Sequence, residues 1–525
     1  MANRQYLAVL AATSVLAAGP SYPVPASAPS DAVPLNHAPV GLSFEFFMWP
    51  SYMSNITPPL ECIKHFDDIY NQKTPIRIGG TTQDRATYDP EFDGYVSYSV
   101  AHPLDAPMEL VFGPKFFDLI TEMGAPTTIG FNRGHNNRTN TFAAALELKK
   151  RALPFIDAIE LGNEPDLYLE FWNQTVAVQS PPWNDTQEGN DAADWAQDFK
   201  SRWGSPLPIL AAGGYAIPFP YKPNWPNLPY LISEAYNQSV KAATKEYNGH
   251  LYAFSNPDPG DLATEMAHTR VVADLSLLPI QAALADGKPY IIGETGFHGT
   301  DFEMDAQFGG AVQIVDKTLR ALSLGVSRLY YHQGTINQGI FVHFIQQTHL
   351  NQPPPANKHV HNFLLTPYSH WAAFFNWWLD NQVNTPFYGG YTAALAVAGG
   401  DEINASDYGT DLFAQYVIYK DDKPLKVVLV NTDYYSGSGT RNVTQFTMTG
   451  LTVDKASAIR MAAPSSVTET TLDQVDASLE PSIGGQYFAN ADCSIQGERK
   501  VEEFEVQGGQ LVVDVAASEV VIVYL

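Results

Sequence analysis

The chain has 525 residues, 45% of them hydrophobic and 16% charged, with a formal net charge of −26. That length exceeds one simple core and the composition can bury a large one, which excludes a disordered or fibrous chain. The acidic balance repels nucleic acid and anionic membrane surfaces, so neither is an expected partner, and it disfavours long polyanionic substrates.

In chain order, Arg4 precedes an apolar run from Tyr6 to Ala18, followed by Gly19-Pro20 and a stretch rich in Pro, Ser and Ala. This predicts a signal peptide over 1–18, a spacer over 19–35, and a secreted, extracellular protein. The run is short for a membrane span, and no later stretch reaches the ~20 apolar residues a span needs. Sequons at Asn55, Asn137, Asn173, Asn184, Asn237, Asn404 and Asn442 agree with export. Cys62 and Cys493 are too few for a disulfide scaffold, and one bridge is open to them if the fold brings them together.

Between about 40 and 335, short β-branched runs alternate with longer amphipathic stretches, the rhythm of βα units around a parallel sheet. Candidate strands start with Val40-Gly-Leu-Ser-Phe-Glu45, Pro75-Ile-Arg-Ile-Gly79, Pro126-Thr-Thr-Ile-Gly130 and Ile156-Asp-Ala-Ile-Glu-Leu161. Pro208-Ile-Leu-Ala-Ala212, Leu251-Tyr-Ala-Phe254, Tyr290-Ile-Ile-Gly293 and Val326-Ser-Arg-Leu-Tyr330 complete eight. Helical patterns intervene, for example Phe142 to Arg151 and Ala311 to Leu324, the latter with an apolar face. The expected fold is α/β, a (β/α)₈ TIM barrel over 36–380, with a C-terminal antiparallel β-sandwich over 381–525. Its strands include a hairpin of 412–419 and 425–430, then 442–449, 456–461, 510–515 and 519–525. The aromatic segment from Tyr368 to Trp378 reads as packing between the two domains.

Chemistry concentrates at two strand ends. In Glu160-Leu-Gly-Asn-Glu-Pro-Asp166 an apolar strand runs into Asn163-Glu164, and Pro165 forces a turn. In Tyr290-Ile-Ile-Gly-Glu-Thr-Gly296 the seventh strand runs into Glu294. Residues at the C-terminal ends of barrel strands form the active site of this fold. Glutamates on strands four and seven can face each other at the ~5–5.5 Å that double-displacement glycosidases use. One must be ionised to attack an anomeric carbon, and the other protonated to assist the departing oxygen. Asn163 is placed to bond a sugar 2-hydroxyl. A carbohydrate is therefore the expected substrate. No closely spaced His/Asp/Glu set has the look of a catalytic zinc site, and His359-Val-His361 reads as loop, so no metal is expected.

Over nearly the whole mature chain the sequence resembles the fungal β-glucuronidases of glycoside hydrolase family 79. The matching text is Leu42-Ser-Phe-Glu45, Arg77-Ile-Gly-Gly-Thr-Thr-Gln-Asp-Arg85, Gly162-Asn-Glu-Pro165, Ile292-Gly-Glu-Thr295 and Gly325-Val-Ser-Arg-Leu-Tyr-Tyr-His332. The resemblance implies a barrel with a β-domain built mainly from the C-terminal segment and an N-terminal strand. It also implies retention of configuration, Glu164 as acid/base, Glu294 as nucleophile and no cofactor. Glu45 matches a position that contacts sugar hydroxyls, with a buried pairing to Arg77 as the competing role. Asp84 would line the same pocket or form a turn beside Arg85, and Tyr252 would meet the nucleophile, the sugar or only the barrel packing. The tyrosines that relatives place around the uronate carboxylate are not plainly present. His298, the amide of Gly299, Tyr331, His332 or Gln333 are the candidates to replace them. The expected activity is a retaining exo-β-glucuronidase releasing terminal glucuronic acid or its 4-O-methyl ether. A β-glycosidase for glucose or xylose, and an inactive sugar-binding protein, are the competing readings.

Overall fold

The computed structural model describes residues 19–55, 58–101, 105–168, 183–216, 223–253, 260–298, 302–335, 383–407, 409, 412–471 and 474–525. The expected signal peptide, Asn173, Gly299, His359, His361 and the Tyr368–Trp378 segment lie outside them. Eight parallel strands close into a barrel: β1 (Val40–Glu45), β2 (Ile76–Gly79), β3 (Thr127–Phe131), β4 (Ile156–Leu161), β5 (Leu210–Tyr215), β6 (Thr244–Leu251), β7 (Tyr290–Thr295) and β8 (Val326–Gln333). Each pairs with its sequence neighbour, and β8 returns to β1 with His332 opposite Ser43.

The sixth strand corrects the expectation. It ends at Leu251 rather than starting there, because Thr244–Leu251 carries Glu246, Asn248 and His250 at every second position. Those polar side chains are buried inside the barrel, so the strand lacks the apolar run that marks its neighbours. The last strand likewise runs on to Gln333, which puts His332 within it.

Helices cover the barrel's outside. Phe308–Ser323 is buried along most of its length because two layers press on it. Thr385–Val397 crosses it so closely that a Cβ on Gly389 would lie 2.4 Å from the carbonyl oxygen of Ala311. That helix belongs to the barrel layer, and the chain passes into the β-domain after it rather than at 380/381. The β-domain opens with Glu402–Ala405.

The β-domain explains its own composition. Glu402–Ala405, Phe413–Lys420, Lys423–Asn431, Glu519–Tyr524 and Lys455–Ala462 form one antiparallel sheet. Val427 and Leu429 point into the sandwich core while Val428 and Val430 join the core shared with the barrel. Both faces are buried, which is why the strand is a continuous apolar run. Val443–Thr449 and Gln510–Ala516 form the second sheet, where Val512 is exposed and Val513 buried. Residues expected as a spacer supply strands: Ser21–Pro23 pairs with Val443–Thr449, and Val33–Pro34 with Glu402–Ala405. Cys62, on the helix Pro58–Tyr70, is bonded to Cys493, tying the barrel to the β-domain.

Candidate active site

The turn after β4 is set by backbone conformation. Gly162 has φ +86°, and a Cβ there would sit 2.4 Å from the Tyr168 hydroxyl. Glu164 follows in the left-handed region (φ 48°, ψ 53°), and Pro165 starts a 3₁₀ turn. A non-glycine residue in that region costs ~1–2 kcal/mol, so something must hold it. Asp84 does: its Oδ2 accepts from the Asn163 amide and the Tyr168 hydroxyl, each at 2.7 Å. Its Oδ1 accepts from the amides of Arg133 and Gly134. Four donors surround Asp84, so it shapes the turn rather than offering itself to a sugar. The amide of Glu164 donates to Gly214 O at 3.0 Å, fixing the turn to β5.

Arg77 on β2 is the hub. Its Nε and Nη2 donate to both oxygens of Glu160 at 3.1 and 2.6 Å. Its Nη1 reaches Glu294 Oε2 at 2.8 Å and Ser43 Oγ at 3.0 Å, and Nη2 reaches Asn163 Oδ1 at 2.9 Å. The guanidinium is fully buried; burial disfavours its charge, and Glu160 and Glu294 more than restore it. The second oxygen of Glu294 accepts from the Tyr252 hydroxyl at 2.9 Å. Tyr252 therefore meets the proposed nucleophile, as one of its expected roles required.

Glu45 does not pair with Arg77. Its Oε1 accepts from the amide and hydroxyl of Thr82, and its Oε2 lies 3.1 Å from His332 Nε2. His332 Nδ1 is 3.0 Å from Ser43 Oγ and 3.8 Å from Glu294 Oε2. Burial works against charge on His332, but Glu294 and Glu45 prevail and raise its pKa. Glu294 and Glu45 thus favour the charged form of this ring.

Glu164 has a different neighbour. His250 Nδ1 lies 2.9 Å from its Oε1, and burial takes that histidine down to about 4, leaving it neutral. Oxygens of Glu164 and Glu294 and a nitrogen of His250 all lie within 4.8 Å of one another. Burial, reinforced by the charge of Glu294, raises the Glu164 carboxyl well above the usual range. Burial also pushes Glu294 up, but His332 and Arg77, joined by His250 only where that ring is charged, outweigh it and hold that carboxyl below the usual carboxylate range. The surroundings of the two adjacent carboxyls thus pull in opposite directions, towards the protonated form at Glu164 and the ionised form at Glu294. The same three side chains could geometrically surround a metal ion. Glu294, however, already accepts from Arg77 and faces His332, whose charges oppose a cation.

Tyr331 is not part of this group. Its hydroxyl bonds Thr318 Oγ1 at 2.7 Å on the helix Phe308–Ser323. Strand alternation puts it on the outer face of β8, since His332 faces inward. Gln333 donates to the carbonyl oxygens of Tyr331 and His332. His298 is buried three residues beyond β7, where its amide donates to Asp305 Oδ1 at 2.7 Å. Ser43, Glu160, Asn248 and His250 were not singled out from sequence. Asn248 donates to Glu160 Oε2 at 2.7 Å and accepts from the Gly293 amide at 2.8 Å, joining β4, β6 and β7. The signal available for it was the period-two polar stripe of Glu246, Asn248 and His250.

A parallel barrel that brings glutamates from its fourth and seventh strands together at the catalytic end has the site of a glycoside hydrolase. Residues 415–522 match the model of the glycosyl hydrolase family 79 C-terminal beta domain. The chain is 33% identical to a structure of a 4-O-α-L-rhamnosyl-β-D-glucuronidase from Fusarium oxysporum in complex with Rha-GlcA. That likeness covers 96% of this chain and 100% of the other, with a TM-score of 0.82. It is 26% identical to a β-glucuronidase of Aspergillus niger over 437 residues, 78% of this chain and 74% of that protein. A β-glucuronidase of Neurospora crassa is also 26% identical, over 59% of each chain. The chain belongs to glycoside hydrolase family 79.

Proposed function

We propose that this enzyme is a secreted, retaining exo-β-glucuronidase that releases terminal glucuronic acid, bare or substituted at O4, by double displacement. The observation that carries the mechanism is the pair itself: carboxylate oxygens within 4.8 Å, one carboxyl drawn towards the ionised form and the other towards the protonated form. That spacing suits retention at about 5–5.5 Å and falls short of the about 6.5–9.5 Å that inversion needs for its water.

Glu294 attacks the anomeric carbon through an oxygen positioned by Arg77 or Tyr252, while Glu164 gives its proton to the departing oxygen. Once ionised, Glu164 takes a proton from water, which then cleaves the glycosyl–Glu294 ester. Asn163 spends its Oδ1 on Arg77, which orients its Nδ2 as a donor for the sugar 2-hydroxyl. The choice of glucuronic acid is supported by the relatives from Aspergillus niger and Neurospora crassa. The O4 substituent is supported by the Fusarium oxysporum rhamnosyl-glucuronidase. Secretion rests on the N-terminal apolar run and the sequons. With His332 held between Ser43 and Glu45, His298 is the candidate we propose to receive the uronate carboxylate.

The test is a panel of matched aryl β-glucuronide, β-glucoside and β-xyloside, with the first-formed sugar anomer read by NMR. Hydrolysis of the glucuronide with the β-anomer appearing first is expected. Equal turnover of the glucoside would overturn the choice of sugar, and an α-anomer appearing first would overturn retention.

A further inference from the structure

Three of the sequons share one geometry. Asn137, Asn184 and Asn237 are each the N-cap of a helix, with Oδ1 accepting from the amides of Asn140 (3.2 Å), Gln187 (3.0 Å) and Val240 (3.0 Å). A backbone N–H can only donate, so the oxygen end of each side-chain amide must face the helix. The nitrogen end is turned away, and Nδ2 has no partner among the described residues. Asn137 and Asn237 are exposed and Asn184 half-buried. Asn442 differs, because its Nδ2 donates to Asp433 Oδ2 at 3.0 Å.

Their positions on the barrel also differ. A barrel helix runs back against the strand before it, so its N-terminus lies at the catalytic end. Asn137 caps Arg138–Ala152, which follows β3, and Asn184 caps Asp185–Trp203, which follows β4. The first turns of the latter hold Glu188 and Asp191 against Arg133, just past β3 and next to Asp84's loop. Asn237 caps Gln238–Lys241, directly ahead of β6, at the opposite end.

We propose that Asn137, Asn184 and Asn237 carry N-linked oligosaccharides, the first two standing on the catalytic face beside the barrel mouth. The proposal rests on reading the chain as exported. In the transfer, Nδ2 displaces the pyrophosphate of a lipid-linked oligosaccharide from its anomeric carbon. The N–C bond forms, the C–O bond to phosphate breaks, and the amide gives up one proton. Oδ1 remains a carbonyl acceptor, so each helix keeps its cap and the added sugar points to solvent.

The full chain, expressed in a eukaryotic secretory host and recovered from the medium, is treated with peptide N-glycosidase in heavy-oxygen water and mapped by mass spectrometry. Labelled aspartate is expected at all three positions. Thr139→Ala, Thr186→Ala and Ser239→Ala, which abolish the sequons while sparing the caps, should each remove the mass of one glycan. Asn137→Asp, which retains a capping oxygen, should do the same as Thr139→Ala. A secreted chain in which any of the three asparagines is unmodified overturns the proposal and leaves the export reading standing. A chain retained in the cell without glycans overturns both.

Discussion

The barrel mouth and the joint between barrel and β-domain are both built from carboxylates and histidines packed away from water, yet they hold their protons in opposite ways. At the joint, His268 places Nδ1 2.7 Å from Asp316 and Nε2 3.1 Å from Asp407, and Tyr416 donates to Asp316 at 2.6 Å. Asp407 and Tyr416 come from the β-domain, His268 and Asp316 from barrel helices. Each ring nitrogen faces a carboxylate, so both carry protons. Burial pulls the histidine down, but Asp316 and Asp407 take it up to about 10.

At the mouth, Glu294 receives the cations, and Glu164 is left against a neutral histidine. Burial is similar in the two places. What differs is which carboxylate touches a positive charge, and that decides whether a proton stays on the acid or on the base. At the joint, a histidine between two carboxylates ties barrel helices to the β-domain. At the mouth, burial favours the protonated form of Glu164, whose hydrogen-bond partner is His250.

Mutations at each place can break or sharpen this contrast. Glu294→Gln removes the proposed nucleophile and should lower kcat on the order of 10⁴-fold or more while leaving the fold in place. Full activity in that variant would remove Glu294 from the mechanism. Glu164→Gln should cost ~10²–10⁴-fold with poor leaving groups and much less with an activated aryl group. A loss independent of the leaving group would argue against an acid role.

Arg77→Met leaves Glu160 and Glu294 buried without their cation, which should destabilise the protein by ~3–5 kcal/mol in denaturant unfolding. It should also raise the pKa of Glu294, shifting the acid limb of the pH–rate profile upward. In the wild type that profile has a definite sign. With Glu294 as the proposed nucleophile it reacts ionised, so the acid limb is expected below the usual carboxylate range. Glu164 must be protonated, so the basic limb follows its raised pKa.

His268→Gln should cost about 2 kcal/mol near neutral pH. Because the folded pKa is raised, the wild-type advantage is complete below the unfolded value near 6.5 and is lost as pH rises through about 10. Thermal unfolding of both proteins between these limits measures it. A constant gap across that range would mean the histidine is not the cation of the joint.

Much of the mouth was legible because strand ends advertise themselves. Apolar runs into Asn163-Glu164 and into Glu294 located β4, β7 and the two glutamates that meet at the mouth. Tyr252 was legible for the same reason, although its strand was misplaced: the interior of β6 is polar where it faces Glu160 and Glu164. Tyr331 was misassigned because adjacent residues on a strand point to opposite sides, and the sequence offered two candidates, Tyr331 and His332, without saying which faced inward. The strands in residues 19–35 were hidden by Pro and Ser, which read as linker until Val443–Thr449 and Glu402–Ala405 offer edges to pair with.

The chain's periodicities pointed to a (β/α)₈ barrel, and its strand-end glutamates, with the family resemblance, singled out the two carboxyls that the barrel brings together. Strand period and turn residues are local properties, written within a few positions of one another. Tertiary structure decided the division of labour. Arg77, Ser43, His250 and His332 lie on β2, β1, β6 and β8, far apart along the chain, and only barrel closure brings charge to Glu294 and a neutral ring to Glu164. The closing of Cys62 onto Cys493 and the clamp around His268 were decided the same way, by contacts between segments hundreds of residues apart or on different domains, which no local pattern encodes.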